Sequence, residues 1–220
     1  MVKPRIVETD RGIQDERIVY EYDQIMRKDR DKRILYTKDI IKFGIQNGSA
    51  LEIGPGPGYL GLDWLSKTSE TSLTGIDISG RMVSIAGKNA GEYGFSGKRA
   101  KYIEGDAHEL PFSAESFNSV FSNATLHELA EPIKVLNEIS RVLKPEGKFY
   151  ISDLRRDMNP VIKYFMKKST KSHDMVSGLI SSINASYAKK EIEELMKQSF
   201  LKDYNVTLNP FSIFIKGIKN

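Results

Sequence analysis

At 220 residues, with 40% hydrophobic and 28% charged side chains, the chain has the size and balance of one globular α/β domain with appendages. A net charge of +4 is too small a surplus to point to nucleic acid, and zero cysteines exclude disulfides, thiolate metal ligands and a cysteine nucleophile. No stretch approaches the roughly 18 apolar residues of a membrane span and no signal-peptide pattern opens the chain, so a cytoplasmic protein is expected.

Residues 1–48 read as a helical segment ahead of a domain over 49–220. Apolar positions at Ile18, Val19, Tyr22, Ile25 and Met26, then Ile34, Leu35, Ile40, Ile41 and Ile45, predict two helices. The second closes near Asn47-Gly48. The mixed-sign run Arg27–Arg33 reads as a solvated helix face. Tyr20, Tyr22 and Asp23 either reach a ligand pocket as part of a lid or pack the helix onto the core.

Leu51-Glu52-Ile53-Gly54-Pro55-Gly56-Pro57-Gly58-Tyr59-Leu60 then predicts a buried strand, a turn stripped of side chains, and a helix that ends by Ser69. Glycine serves where backbone approaches a ligand or takes a positive φ, and Pro55 and Pro57 stiffen the gaps. Gly56 to Gly61 formally satisfies GxGxxG, which presents a helix N-terminus to pyrophosphate. Glu52 argues against pyrophosphate, since a carboxylate there would repel it and suit a positively charged ligand. A purely structural turn is the third reading.

Ser72–Ser79 predicts a second strand ending at Asp77, placed to accept hydrogen bonds from ribose hydroxyls or to cap the next helix. Ser79 is a candidate N-cap, and Met82, Ile85, Ala86, Ala90 and Tyr93 form that helix's apolar face. A third strand over 100–107 runs into Gly105-Asp106-Ala107-His108-Glu109-Leu110-Pro111-Phe112, where His108 reads as a solvent-facing loop residue. A fourth strand over 116–124 leads to Thr125-Leu126-His127-Glu128-Leu129. Glu131-Pro132 opens a helix with Ile133, Leu136, Ile139 and Leu143 in helical period, Lys144–Lys148 is a turn, and 149–153 is strand 5. Residues 155–188 read as helical, either a lid over a bound ligand or a surface hairpin. A helix over 187–199 and a strand pair over 202–208 and 211–219 complete the chain. His108, His127 and His173 share no metal-ligand spacing, so no metal is expected.

Together these stretches resemble the class I S-adenosylmethionine (SAM)-dependent methyltransferases of the Methyltransf_11 type. The nearest likeness is to ubiquinone/menaquinone-biosynthesis methyltransferases and related small-molecule enzymes. Glu52-x-Gly54-x-Gly56-x-Gly58 matches the E/DxGxGxG of motif I, and Gly105–Phe112 matches a G-D-A-x-x-L-P-F signature. Val135–Asp153 matches an E-x-x-R-V-L-K-P-G-G-x-x-x-x-x-D block in which Glu146 replaces one glycine, read as a harmless departure.

The resemblance implies an α/β fold: a doubly wound, Rossmann-like seven-stranded sheet whose last strand inserts antiparallel between strands 5 and 6. N-terminal helices and a helical lid insertion at about 155–188 complete it. It also implies SAM as cofactor, held by Glu52, Gly54, Gly56, Gly58, Asp77, Ile78, Met82, Asp106, Ala107 and Asn123, with the Asp106 acid taking the adenine amine. The tetrapeptide [DN]-P-P-[YF] of nucleic-acid and protein N-methyltransferases is absent, Ser122-Asn123-Ala124-Thr125 standing in its place. A small organic acceptor is therefore expected, with no nucleic acid. His127 is the candidate base, with Glu128 nearby, against a structural or exposed role. A SAM-binding protein without turnover and a nicotinamide oxidoreductase are the alternatives.

Overall fold

The computed structural model describes residues 4–8, 12–95, 97, 99–170 and 172–220. Its sheet has seven strands: β1 (Gly48–Ile53), β2 (Thr71–Asp77), β3 (Ala100–Glu104), β4 (Phe117–Asn123), β5 (Leu143–Leu154), β6 (Asp203–Leu208) and β7 (Ser212–Ile218). Their order is β3-β2-β1-β4-β5-β7-β6. The first five are parallel, and β7 runs antiparallel between β5 and β6, as the resemblance implied. The order reverses between β1 and β4, and in doubly wound sheets ligands bind off the strand C-termini at such a point.

The helices are α1 (Glu16–Asp31), α2 (Thr37–Lys42), α3 (Tyr59–Ser66), α4 (Gly80–Glu92), α5 (Pro132–Val142), α6 (Pro160–Ser169), α7 (His173–Ala185) and α8 (Lys189–Gln198). They cover both faces of the sheet, which is why β1 is buried without alternation from Ala50 to Ile53. Leu51 and Ile53 face a core with Leu136, Ile139, Ile192 and Met196, while Ala50 faces one with Ile40, Leu62 and Trp64. The Trp64 indole N–H donates to the Ile45 carbonyl at 2.8 Å, tying the N-terminal helices to α3.

Several boundaries move. β3 is over by Glu104, so the Gly105–Phe112 stretch is loop, whereas α3 ends at Ser66, inside the expected bound. β5 begins at Leu143 rather than 149: Leu143 pairs with Phe117, then the register jumps to Lys148 opposite Ser119. Inside that jump Glu146 has φ 61°. A side chain there costs roughly 1–2 kcal/mol that glycine avoids, so the departure at 146 carries strain.

α7 packs against α1 and against a short 3-10 turn, Leu126–Glu128, at the end of β4. α6 buries none of its residues and leaves Val161, Tyr164 and Phe165 exposed. The N-terminal residues form a strap over the same edge. The Ile6 N–H donates to Asn184 O at 3.1 Å, and Arg5 donates to His127 O at 2.9 Å while covering the Tyr187 ring at 4.3 Å. Further along, Ile13 O accepts from Ser79 Oγ at 2.8 Å.

Candidate active site

The turn after β1 is built from three left-handed glycines, with φ of 64° at Gly54, 51° at Gly56 and 83° at Gly58. Space demands glycine as well: a Cβ at Gly54 would fall 2.2 Å from Thr125 Oγ1, and one at Gly58 2.8 Å from Tyr102 Oη. The Gly56 N–H donates to Asp77 Oδ2 at 3.0 Å and the Ser79 N–H to Oδ1 at 2.9 Å. Asp77 thereby joins the end of β2 to the turn, and lone pairs on both oxygens stay available for further donors. Burial raises its pKa, and the two backbone donors oppose the rise. Ser79 caps α4 as expected, accepting from the Met82 N–H at 3.3 Å, and Met82 is buried beneath.

Tyr22 comes from α1 to this place. A Cβ on Gly56 would meet its Cε1 at 3.4 Å. Its hydroxyl pKa is raised by burial and by the charges of Glu128, Asp77, Asp29 and Asp153. Tyr20 points to solvent, and Asp23 is buried, accepting from Tyr59 Oη at 2.9 Å.

Other predicted residues fall in varied places. Ile78 is partly exposed beside Gly12, and Ala107 packs on the main core. Asn123 accepts from Ser152 Oγ at 2.8 Å across to β5. Asp106 keeps an exposed carboxylate that accepts from the His108 N–H at 2.8 Å and contacts its Nδ1 at 2.6 Å. Partial burial pushes its pKa up, but the His108 contacts and Lys134 prevail and lower it. His108 does not face solvent: its side chain is 11% exposed, and Nε2 accepts from the Glu131 N–H at 3.2 Å. It clasps the loop after β3 to the start of α5.

Glu52 also departs from expectation. Its side chain is 2% exposed and lies between α3 and β2, beneath the turn rather than at its mouth. One oxygen accepts from the Gly61 N–H, and Oε2 has no hydrogen-bond partner. A Cβ at Gly61 would sit 2.2 Å from that oxygen. Burial raises the pKa well above the carboxylate range, outweighing the Gly61 donor, with Asp77 adding to the rise. Burial thus favours the protonated form of this core acid, and other carboxyls stand at the sheet edge.

Those carboxyls surround His127, which is 2% exposed in the 3-10 turn after β4. Asp153, at the end of β5, accepts its backbone N–H at 2.7 Å and contacts ring Nδ1 at 2.7 Å. This leaves Nε2 buried without a hydrogen-bond partner, 3.6 Å from Glu8 Oε2 and 4.0 Å from Glu128 Oε1. Burial alone would lower the His127 pKa. The charge and hydrogen bond of Asp153, then Glu128 and Glu8, raise it to about 9. Burial pushes Glu128 up to about 7 against the pull of His127. Sequence reading marked Asp153 only as the acid that ends strand 5 and its motif block and gave it no site role, although an acid closing a strand was a usable signal. Glu8 gave none, being far from residue 127 along the chain. A groove of about 580 Å³ lies along α5 beside His108 and holds none of the expected cofactor residues.

The sheet order and the glycine turn define a class I methyltransferase architecture, and comparison with known proteins agrees. A methyltransferase-domain family model (Methyltransf_31) matches residues 46–202. The chain therefore belongs to the SAM-dependent methyltransferase family; it is an enzyme of that class with SAM as its cofactor. It is 28% identical over 152 residues to an uncharacterized methyltransferase, YcgJ, of Bacillus subtilis, covering 69% of this chain and 58% of that protein. It is 27% identical over 163 residues to the ubiquinone/menaquinone biosynthesis C-methyltransferase UbiE of Geotalea daltonii, covering 71% and 67% respectively. The structure of a SAM-dependent methyltransferase from Aquifex aeolicus superposes with a TM-score of 0.72 at 20% identity. That match covers 94% of this chain and 100% of that one, and shows a shared fold.

Proposed function

We propose that the chain transfers a methyl group from SAM to a small organic acceptor. The supporting observation is Asp77, whose carboxylate is fixed by the Gly56 and Ser79 N–H groups where the glycine turn meets β2. Such an acid suits ribose hydroxyls, and its carboxylate neighbours suit a cationic ligand. SAM, when bound, supplies an electrophilic methyl carbon on a sulfonium, and transfer leaves S-adenosylhomocysteine.

In this reading Gly54, Gly56 and Gly58 let backbone approach the cofactor. Asp77, Ile78 and Met82 line its ribose end, Asp106 and Ala107 its base, and Asn123 and Thr125 lie toward the methyl. Glu52 supports the turn from below. Because the leaving group is already activated, the protein's main task is alignment and exclusion of water. The strap, Tyr22 of α1, and α7 with α6 serve as cover, the 155–188 segment acting as the lid. The small-molecule class draws support from the missing [DN]-P-P-[YF] tetrapeptide and from the names of relatives such as UbiE.

His127 is the residue we assign to the acceptor, held in one orientation by Asp153. Radiolabelled methyl transfer from SAM to a panel of small phenols, quinols and amines tests the reading. Wild type is expected to label at least one acceptor class. His127→Ala is expected to lower kcat by at least ten-fold with SAM affinity unchanged. Equal turnover of the two proteins would remove His127 from the chemistry.

A further inference from the structure

The geometry points to a divalent metal site of the zinc class formed by His127 Nε2, Glu8 and Glu128. The ligand atoms of these three residues lie within 4.8 Å of one another. Nε2 is buried without a hydrogen-bond partner and faces Glu8 Oε2 at 3.6 Å and Glu128 Oε1 at 4.0 Å. Both separations exceed the roughly 3.2 Å limit of a good N–H···O bond, so a proton on Nε2 leaves that donor unsatisfied. Ligands about 2.1 Å from a tetrahedral ion stand about 3.4 Å apart, so modest contraction would close all three onto one cation.

The support around the ring is what such a ligand requires. A metal-binding histidine commonly gives its other ring N–H to a carboxylate, which fixes the tautomer and orients the free nitrogen. Asp153 does this for His127 Nδ1, so the ring cannot turn away without breaking that bond, and it also accepts the His127 backbone N–H, which fixes the carboxylate against the turn. Glu8 is delivered by the N-terminal strap, whose Arg5 holds the His127 carbonyl at 2.9 Å. One imidazole with two carboxylates favours zinc or manganese over calcium, and three protein ligands leave a position open. The two glutamates retain 21% and 30% side-chain exposure, which gives an ion a way in. Only the consequence for chemistry rests on the proposed function: an acceptor hydroxyl on the open position would ionise more readily, its proton passing to solvent.

The test is titration calorimetry of Zn²⁺ and Mn²⁺ into chelator-treated full-length protein, with SAM affinity measured on the same samples. One ion per chain is expected, bound at least ten-fold more weakly by Glu8→Gln and by Glu128→Gln. His173→Ala, which alters a fully exposed histidine beside Asp174, is expected to leave binding unchanged. Glu8 lies on the strap rather than in the core, so Glu8→Gln tests the site without depending on a folded His127 variant. No binding, binding indifferent to Glu8→Gln, or binding abolished by His173→Ala would overturn the site. If SAM still binds in those cases, the proposed function stands without it.

Discussion

Glu52→Gln exchanges a buried acid for a neutral side chain of nearly the same shape. The carboxyl is 2% exposed, one oxygen lacks a partner, and burial holds its pKa well above the reference value of 4.5. As pH rises past 4.5, the unfolded chain releases this proton while the folded protein retains it. Unfolding is thus favoured by about 1.4 kcal/mol per pH unit, up to the folded pKa. Glutamine carries no such term. Below pH 4.5 the two proteins therefore differ by a constant offset. Above it the variant gains on wild type at about that slope, and other titrating groups cancel in the difference. Urea unfolding of both proteins at half-unit steps from pH 4.5 to 8, without SAM, measures it. A difference that stays flat, or that moves toward wild type with rising pH, would mean an ionised Glu52 in the folded state. The placement beneath the turn would then fail.

Two further substitutions probe backbone that the fold forces into left-handed conformation. Glu146→Gly relieves a side chain at φ 61° and is expected to stabilise the protein by up to about 1 kcal/mol after glycine's entropy loss, read as a higher urea midpoint. An unchanged or lower midpoint would show that the bend carries no strain. Gly58→Ala places a Cβ 2.8 Å from Tyr102 Oη at φ 83°. It is expected to destabilise by at least about 1 kcal/mol and to weaken SAM binding, both visible in thermal melts with and without SAM; a melt matching wild type would contradict the turn geometry.

Much of this architecture was legible because local chemistry and fold agree. The run Leu51–Ile53 against Gly54, Gly56 and Gly58 marked the strand, turn and helix, and Asp77 closes β2 as the sequence predicted. What escaped depended on three-dimensional contact. Glu52 reads as a mouth residue in one dimension, but strand alternation sends it under α3, where Gly61 leaves room for it. His108 reads as loop, yet a carboxylate two residues earlier and the Glu131 N–H bury its ring. Glu8 meets His127 only because the strap crosses the end of the sheet. Lys144–Lys148 looked like a plain turn because a register jump leaves no periodicity to read.

Binding of SAM through Asp77 is tested by titration of SAM and S-adenosylhomocysteine into wild type and Asp77→Asn. Wild type is predicted to bind both ligands one to one. The asparagine variant should keep the fold but lose about 10- to 100-fold in affinity, the worth of a hydrogen bond to a charged acceptor. Equal affinity in the two proteins, or no binding by wild type, would contradict it.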